Sequence, residues 1–254
     1  MTLVVLLADP PREGLCLPRL AEETPLSAAE AADCYRAMLA DAMVAAESSG
    51  GELLVNYRSD DLLPDEFAGT GDADAESEVR AVAEEALGDA AEEIRFEVQV
   101  GSTYDGRVGN TVLHLLDTEE HASVLVVDAT APLVGRKDID NASMKLRRYD
   151  AVFGPATDGR VWGVAFTEPV DFDGAFAPPT VETLTDRALD AGLDVDFLPH
   201  YPTVESGRDL CTVVSLVRAR QRAGRIVPEH TTAFFDDLGL SVVHQEGEAR
   251  LVRQ

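Results

Sequence analysis

Val152-Phe153-Gly154-Pro155-Ala156-Thr157-Asp158-Gly159-Arg160-Val161-Trp162-Gly163-Val164 joins two apolar runs of strand length through a Gly/Pro/Asp/Gly turn. A turn this constrained, with one carboxylate between two buried strands, is how α/β proteins set an acid at the mouth of a site. The segments on either side follow the same grammar. Upstream, Leu3–Ala8 reads as a strand, Ser27–Glu47 as a helix capped by Ser27 with Glu30 three residues on, and Glu52–Tyr57 as a second strand. An acidic loop, Asp60–Asp74, leads to a predicted helix over Ala75–Ala91, a strand over Ile94–Val100 and a helix over Gly109–Leu116. Ser123–Asp128 is then a continuous apolar run of the kind found in central parallel strands.

Between this run and the opening turn, the pattern predicts a helix over Asp138–Arg147. Beyond the turn it predicts a helix over Val181–Ala191, a strand over Leu193–Leu198 and a helix over Arg208–Ala223. The final residues change character, with a short helix over Pro228–Leu238 and a hairpin of Ser241–His244 with Ala249–Val252 turning at Glu246-Gly247. The expectation is therefore a three-layer α/β/α fold with a mostly parallel central sheet over residues 1–224, and a helix-hairpin extension over 225–254 packed on the same domain. That extension is also the natural place for a homo-oligomer contact.

Composition narrows the function. The chain has 254 residues, 47 of them acidic against 21 basic, for a formal net charge of -26. Charge of that sign excludes nucleic acid and anionic membranes as expected partners. Only Lys137 and Lys145 are lysine, and the acidic residues are spread along the chain, a pattern of halophilic cytosolic proteins; an ordinary acidic mesophilic protein is the alternative. Cys16, Cys34 and Cys211 have no Cys-x-x-Cys spacing, and the five histidines form no ligand pair, so neither a disulfide framework nor a zinc site is expected. Leu3–Ala8 lacks a basic leader and is too short to cross a membrane, which points to the cytoplasm.

In an open parallel sheet, ligands sit beyond the carboxyl ends of the strands, and four loops there carry polar groups. The first, Ala8–Leu20, is rich in Pro and Gly and holds Arg12 and Arg19; guanidinium suits phosphate, although a solvated surface loop reads the same way and no P-loop pattern is present. The second, Gln99–Asn110, brings Gly101, Gly106 and Gly109 to a helix start, where backbone N–H groups can meet an anion or the glycines can serve packing alone. The third ends the central strand at Asp128, a candidate metal or hydroxyl ligand or else a turn cap. In the fourth, His200–Leu210, Glu205 either faces Asp128 across the cleft or complements a helix dipole. Two such carboxylates would suit Mg²⁺ held together with phosphates.

Together these loops resemble a family of candidate glycosyltransferases with the nucleotide-diphospho-sugar transferase fold (glycosyltransferase A type), related to molybdenum-cofactor and phospholactate guanylyltransferases. The likeness covers about residues 3–222. Gly154-Pro155-Ala156-Thr157-Asp158-Gly159 matches the family's Gly-Pro-Ala-x-Asp-Gly-Gly turn except that Arg160 replaces the last glycine, and Ser27–Asp41, with Ala32, Tyr35, Arg36 and Asp41, follows its first helix. Elsewhere the chain departs from the pattern. Lys-Thr-Arg-Leu becomes Leu17-Pro18-Arg19-Leu20, and Ala-Lys becomes Ala8-Asp9, so an acid stands where a second cation is expected. Gly-Ser-Asp-Cys-Pro, aligned on Pro132, puts Thr130 at the family aspartate and Asp128 at its glycine. Asp-Val-Asp-Thr becomes Thr203-Val204-Glu205-Ser206, and Asp-Leu-Gly-Glu-Arg becomes Arg107-Val108-Gly109-Asn110-Thr111.

The resemblance implies a transferase that binds a nucleotide or nucleotide-sugar with Mg²⁺ or Mn²⁺. Arg19, Gly14, Gln99, Gly101, Gly109, Gly154 and Gly159 would then line the nucleotide, Asp128 and Glu205 would hold the metal, and Asp158 would position the acceptor or sugar. The departures leave a second reading open, a non-catalytic descendant of the fold that acts as an interaction or binding protein.

Overall fold

The first strand, β1 (Leu3–Ala8), is apolar at every position because both faces of it are covered. Leu3 and Val5 face one core while Val4, Leu6 and Ala8 face the other, the period-two alternation of a strand buried on both sides. The computed structural model describes residues 1–69, 73–245 and 247–254. Seven strands form the main sheet: β1, β2 (Glu52–Tyr57), β3 (Arg95–Val98), β4 (Val124–Val127), β5 (Ala151–Pro155), β6 (Val161–Phe166) and β7 (Val195–Phe197). Their order is β3-β2-β1-β4-β6-β5-β7, parallel throughout except for β6, which runs antiparallel to both neighbours.

The exception arises at the opening turn. Gly154-Pro155-Ala156-Thr157-Asp158-Gly159 is too short for a crossover, so β6 returns beside β5 as a hairpin and pairs on its other edge with β4. Asp158 takes φ 60° and ψ 31°, the left-handed region that Asp tolerates better than most residues, and Gly159 follows at φ 73°. Gly154 is required by packing: a Cβ there would lie 2.2 Å from the Trp162 ring. Trp162 is fully buried and donates its indole N–H to the Pro199 carbonyl at 2.9 Å.

Helices cover both faces. On one side lie α2 (Ala28–Glu47), α3 (Ala75–Leu87) and α5 (Arg136–Lys145); on the other lie α4 (Tyr104–Leu113) and α6 (Thr180–Asp190). Ser27 and Glu30 close a capping box at the start of α2, as their spacing predicts. A further apolar cluster joins α1 (Pro18–Glu23), α2, α7 (Gly207–Arg222), α8 (Glu229–Asp237) and the hairpin of β8 (Leu240–Gln245) and β9 (Glu248–Arg253). Asp41 of α2 accepts the His230 and Thr231 N–H groups at 3.0 and 2.8 Å and so caps α8.

Two predicted boundaries move by more than three residues, and the first loop holds a helix that the pattern did not predict. The helix expected over Gly109–Leu116 begins at Tyr104, because the Thr103 hydroxyl accepts the Gly106 N–H at 3.1 Å and starts the helix a turn and a half earlier. The helix expected to Ala91 ends at Leu87, where Gly88 adopts φ 57°. The first loop ends in α1, with Pro18 in the first turn, so Arg19 is helical. Residues 70–72 of the acidic loop and Glu246 of the hairpin turn lie outside the described residues.

Candidate functional site

A cavity of about 430 Å³ opens at the carboxyl ends of β1 and β4, where an open α/β sheet offers its ligand site. Its polar lining includes Asp9, Tyr35, Tyr104, Asp128, Arg160 and Glu205. Larger grooves of about 1030 and 630 Å³ flank the C-terminal hairpin, but they are lined by the hairpin with α1 and α7 rather than by strand ends.

Asp128 follows β4 directly. One of its oxygens accepts both the N–H and the hydroxyl of Thr130 at 2.8 Å, an Asx-type turn that fixes the carboxylate, and the other takes no protein donor among the described residues. The same turn aims the Thr130 carbonyl at the Val204 N–H, 2.9 Å away, and this bond draws the loop carrying Glu205 to the cavity. Thus the structure brings together Asp128 and Glu205, two carboxylates 77 positions apart in sequence. Burial pushes the Asp128 carboxyl above its ordinary range; the Thr130 bonds pull it down, and Glu205 adds repulsion.

Glu205 has a cation beside it. Arg160, which replaces the last glycine of the turn motif, reaches Glu205 at 3.0 Å and Asp209 at 2.8 Å, and its Nε donates to the Thr157 carbonyl at 2.9 Å. Burial works against the Arg160 charge, and the bonds to Asp209 and Glu205 more than offset it. Asp209 also forms the capping box of α7 with Ser206. The turn, the cleft and the start of α7 are therefore held by one guanidinium.

The opposite wall is built by β1, α2 and α4. Asp9 meets Arg58, from the end of β2, at 2.9 and 3.0 Å, while its own N–H donates to the Tyr35 hydroxyl at 3.0 Å. Burial raises the Asp9 carboxyl, with Arg58 and then Arg107 opposing. The Tyr35 phenol is pushed well above its ordinary value by burial and by the charge of Asp9, so it remains a neutral donor, and its hydrogen has no protein acceptor among the described residues. Tyr104 and Phe176 pack edge to face at 5.0 Å and supply an aromatic flank.

The other predicted residues lie around this centre. Asp158 is exposed at the tip of its turn, outside the cavity lining, and Gly159 abuts Pro179. Arg19 projects from α1 and pairs with Glu23 at 2.6 Å, away from the strand ends. Gln99 is buried and ties the end of β1 to β2, donating to the Asn56 carbonyl at 2.7 Å and the Ala8 carbonyl at 3.3 Å. Gly109 sits in mid-helix, where a Cβ would lie 2.7 Å from Phe172, so contact with α4's neighbour accounts for it. Gly101, at φ 132°, leaves room for the start of α4, since a Cβ there would lie 2.9 Å from the Arg107 backbone nitrogen, and Gly14, at φ 78°, turns the first loop against Phe67. Arg58, Arg160 and Tyr35 were not assigned roles from the sequence. Arg160 carried a usable signal as the residue that breaks the Gly-Gly end of the turn, and Tyr35 as a match within the family's first helix.

Among the described residues no group of three or more His, Cys, Asp or Glu side chains converges as a metal site, and no helix is long and apolar enough to cross a membrane. The family model described as an uncharacterized protein conserved in bacteria (DUF2064) matches residues 56–177, which run from the end of β2 past β6. No curated protein matches the sequence. Among solved structures, a candidate nucleotide-diphospho-sugar transferase from Desulfovibrio desulfuricans superposes with a TM-score of 0.73 at 22% identity, covering 93% of this chain and 96% of that one. A 4-diphosphocytidyl-2C-methyl-D-erythritol synthase from Anaerococcus prevotii aligns with a TM-score of 0.47 at 14% identity over 89% of this chain and 96% of that one. The first of these likenesses, together with the three layers and the mostly parallel sheet, shows that the chain has the nucleotide-diphospho-sugar transferase type of fold.

Proposed function

We propose that the cleft binds a nucleotide or nucleotide-sugar and transfers a nucleotidyl or glycosyl group, with a divalent cation, Mg²⁺ or Mn²⁺, held by Asp128. The observation that carries this reading is the Asp128 carboxylate: fixed by Thr130, open on its second oxygen, and facing a cavity at the carboxyl edge of the sheet. The name given to the Desulfovibrio structure supports the substrate class. One carboxylate, or two, with phosphate oxygens and waters is a donor set that suits Mg²⁺, which seldom takes an all-protein cage. When bound, the ion would offset phosphate charge as the leaving group departs.

The chain's own groups do the positioning. Tyr35 keeps its proton and offers it to a ligand oxygen; Tyr104 and Phe176 give a ring something to lie against; Arg160 fixes the distance between the turn and α7. Transfer of this kind depends on alignment and charge neutralisation more than on a protein nucleophile.

One observation favours the second reading, a non-catalytic binding protein. Arg160 pairs with Glu205, so the second candidate ligand already has an internal counter-ion. A thermal-shift panel in high salt, with nucleoside triphosphates and nucleotide-sugars in the presence and absence of Mg²⁺ or Mn²⁺, separates the two. A ligand at one hundred times its dissociation constant adds about 2.7 kcal/mol, a readable rise in Tm. The transferase reading expects a metal-dependent shift that Asp128→Ala removes. A flat panel on folded protein overturns it in favour of the binding protein.

A further inference from the structure

Arg107 differs from three other arginines that are wholly or partly withdrawn from solvent. Arg12, Arg95 and Arg160 each engage two carboxylates. The Arg107 guanidinium, by contrast, makes no ion pair or hydrogen bond among the described residues, and its Nε is shielded from solvent without a partner. Its nearest aromatic contact is loose, 5.9 Å from the Tyr104 ring centre. In a chain with 47 acidic residues against 21 basic ones, such a guanidinium is not short of possible partners, yet no acidic side chain among the described residues pairs with it.

Its surroundings sharpen the point. Burial disfavours the Arg107 charge, the neighbouring Arg58 disfavours it further, and Asp9 alone of the carboxylates opposes them. Asp9 itself is engaged by Arg58 at 2.9 and 3.0 Å. Arg107 thus feels a carboxylate that Arg58 already engages, and makes no ion pair with it. Asp9 and Tyr104 both line the cavity; Arg58 bonds to the first, and Arg107, in the first turn of α4 three residues after Tyr104, lies over the second, so each guanidinium sits one residue behind the cavity wall.

We propose that Arg58 and Arg107 form an anion subsite on the β2 side of the cleft, which takes a phosphate-type dianion while Asp9 serves as the internal counter-ion that the ligand displaces. Phosphate fits better than carboxylate. Each guanidinium offers five N–H donors in a planar fork, and a tetrahedral dianion can accept from two forks and neutralise both charges, whereas a second carboxylate would repeat what Asp9 already does. The inference rests on the reading of the cleft as a nucleotide site in taking phosphate as the anion. It assigns that contact to residues from β2 and α4, not to the arginines of the first loop.

Calorimetric titration with inorganic pyrophosphate, in chelator and without metal, tests it. Arg107→Gln is expected to weaken binding about tenfold, the size of a lost charge-assisted pair of hydrogen bonds. Asp9→Asn is expected to tighten it, because the competing carboxylate is gone, and Arg225→Gln, an exposed charge control, to leave it unchanged. Thermal melts confirm that each variant folds, which the lack of partners at Arg107 favours. Absence of pyrophosphate binding by the wild type, or binding indifferent to both Arg107→Gln and Asp9→Asn, overturns the proposal. A nucleotide that binds through Asp128 and metal yet ignores Arg107→Gln sinks the subsite and spares the nucleotide reading. Pyrophosphate held by the two arginines with no nucleotide binding does the reverse.

Discussion

The loop after β1 and the loop after β3 look alike in sequence, each a Gly-containing connection with an arginine near a helix start, yet the fold uses them in opposite ways. Arg12 in the first is buried and bonded through all three of its nitrogens: it donates to Asp60 at 2.6 Å, to Glu78 at 2.9 to 3.1 Å and to the Phe67 carbonyl. Asp60 also accepts the Ala75 and Gly69 N–H groups, and these bonds with Arg12 hold its carboxyl down at about 2. Arg107 in the second has none of this. A charge with every hydrogen bond made belongs to the scaffold, and a charge left short of partners at a cleft is available to a ligand.

The sharpest way to break that contrast is to delete both arginines in turn. Arg12→Ala strands two partly buried carboxylates and opens the first loop, and is expected to cost about 3 to 5 kcal/mol, on the order of 10 °C in Tm for a chain of this size. Arg107→Ala is expected to stay within about 1 kcal/mol of wild type. Thermal unfolding of the two variants side by side decides; comparable losses would mean that Arg107 is as structural as Arg12.

The turn at Gly154 belongs with the closed region despite its resemblance to a ligand loop. Because a Cβ would fall 2.2 Å from the Trp162 ring, and that ring is locked by burial and by its bond to Pro199, Gly154→Ala is expected to cost about 3 kcal/mol through overpacking. Chemical denaturation measures it. A neutral substitution would show that the ring can move and that packing does not explain the glycine.

Arg160 sits on the border between the two regions, since it lines the cavity but is fully engaged. Arg160→Gln leaves Asp209, nearly buried, without its cation and is expected to cost about 1.5 to 3 kcal/mol. A double-mutant cycle with Asp209→Asn should return a coupling above about 0.5 kcal/mol. Additive losses would move Arg160 to the open group and make it a ligand contact in its own right.

What the sequence disclosed follows the same division. Local chemistry was readable: the Ser27–Glu30 capping box, the continuous burial of Leu3–Ala8 and the hairpin through Asp158 are set by residues within a few positions of one another. The loops that carry Asp128 and Glu205 were readable too, one directly after β4 and one ahead of α7, and both residues line the cleft. Long-range pairing was not. Nothing near Arg12 announces Asp60 and Glu78, which lie 48 and 66 residues away, and nothing near Asp9 announces Arg58. A glycine that opens a helix and one that makes room for Phe172 are spelled alike, so Gly109 reads as a helix start although it lies in mid-helix.

Asp128 offers the subtlest test, because an open group should reveal itself by the sign of its effect. Its folded-state carboxyl is raised above the ordinary value of 3.8, mainly by burial. Between that value and the raised one, the folded chain holds a proton that the unfolded chain has released, so the contribution of Asp128 to stability falls as pH climbs through the interval and stays unfavourable above it. Asn keeps an oxygen for the Thr130 N–H and carries no charge. Asp128→Asn is therefore expected to raise the denaturation midpoint slightly at neutral pH, with the gain shrinking as pH falls through the interval and gone below 3.8. Urea melts of both proteins across that range measure the effect. A variant less stable than wild type at neutral pH would mean that the carboxylate serves the fold, and the cleft would lose its clearest open group.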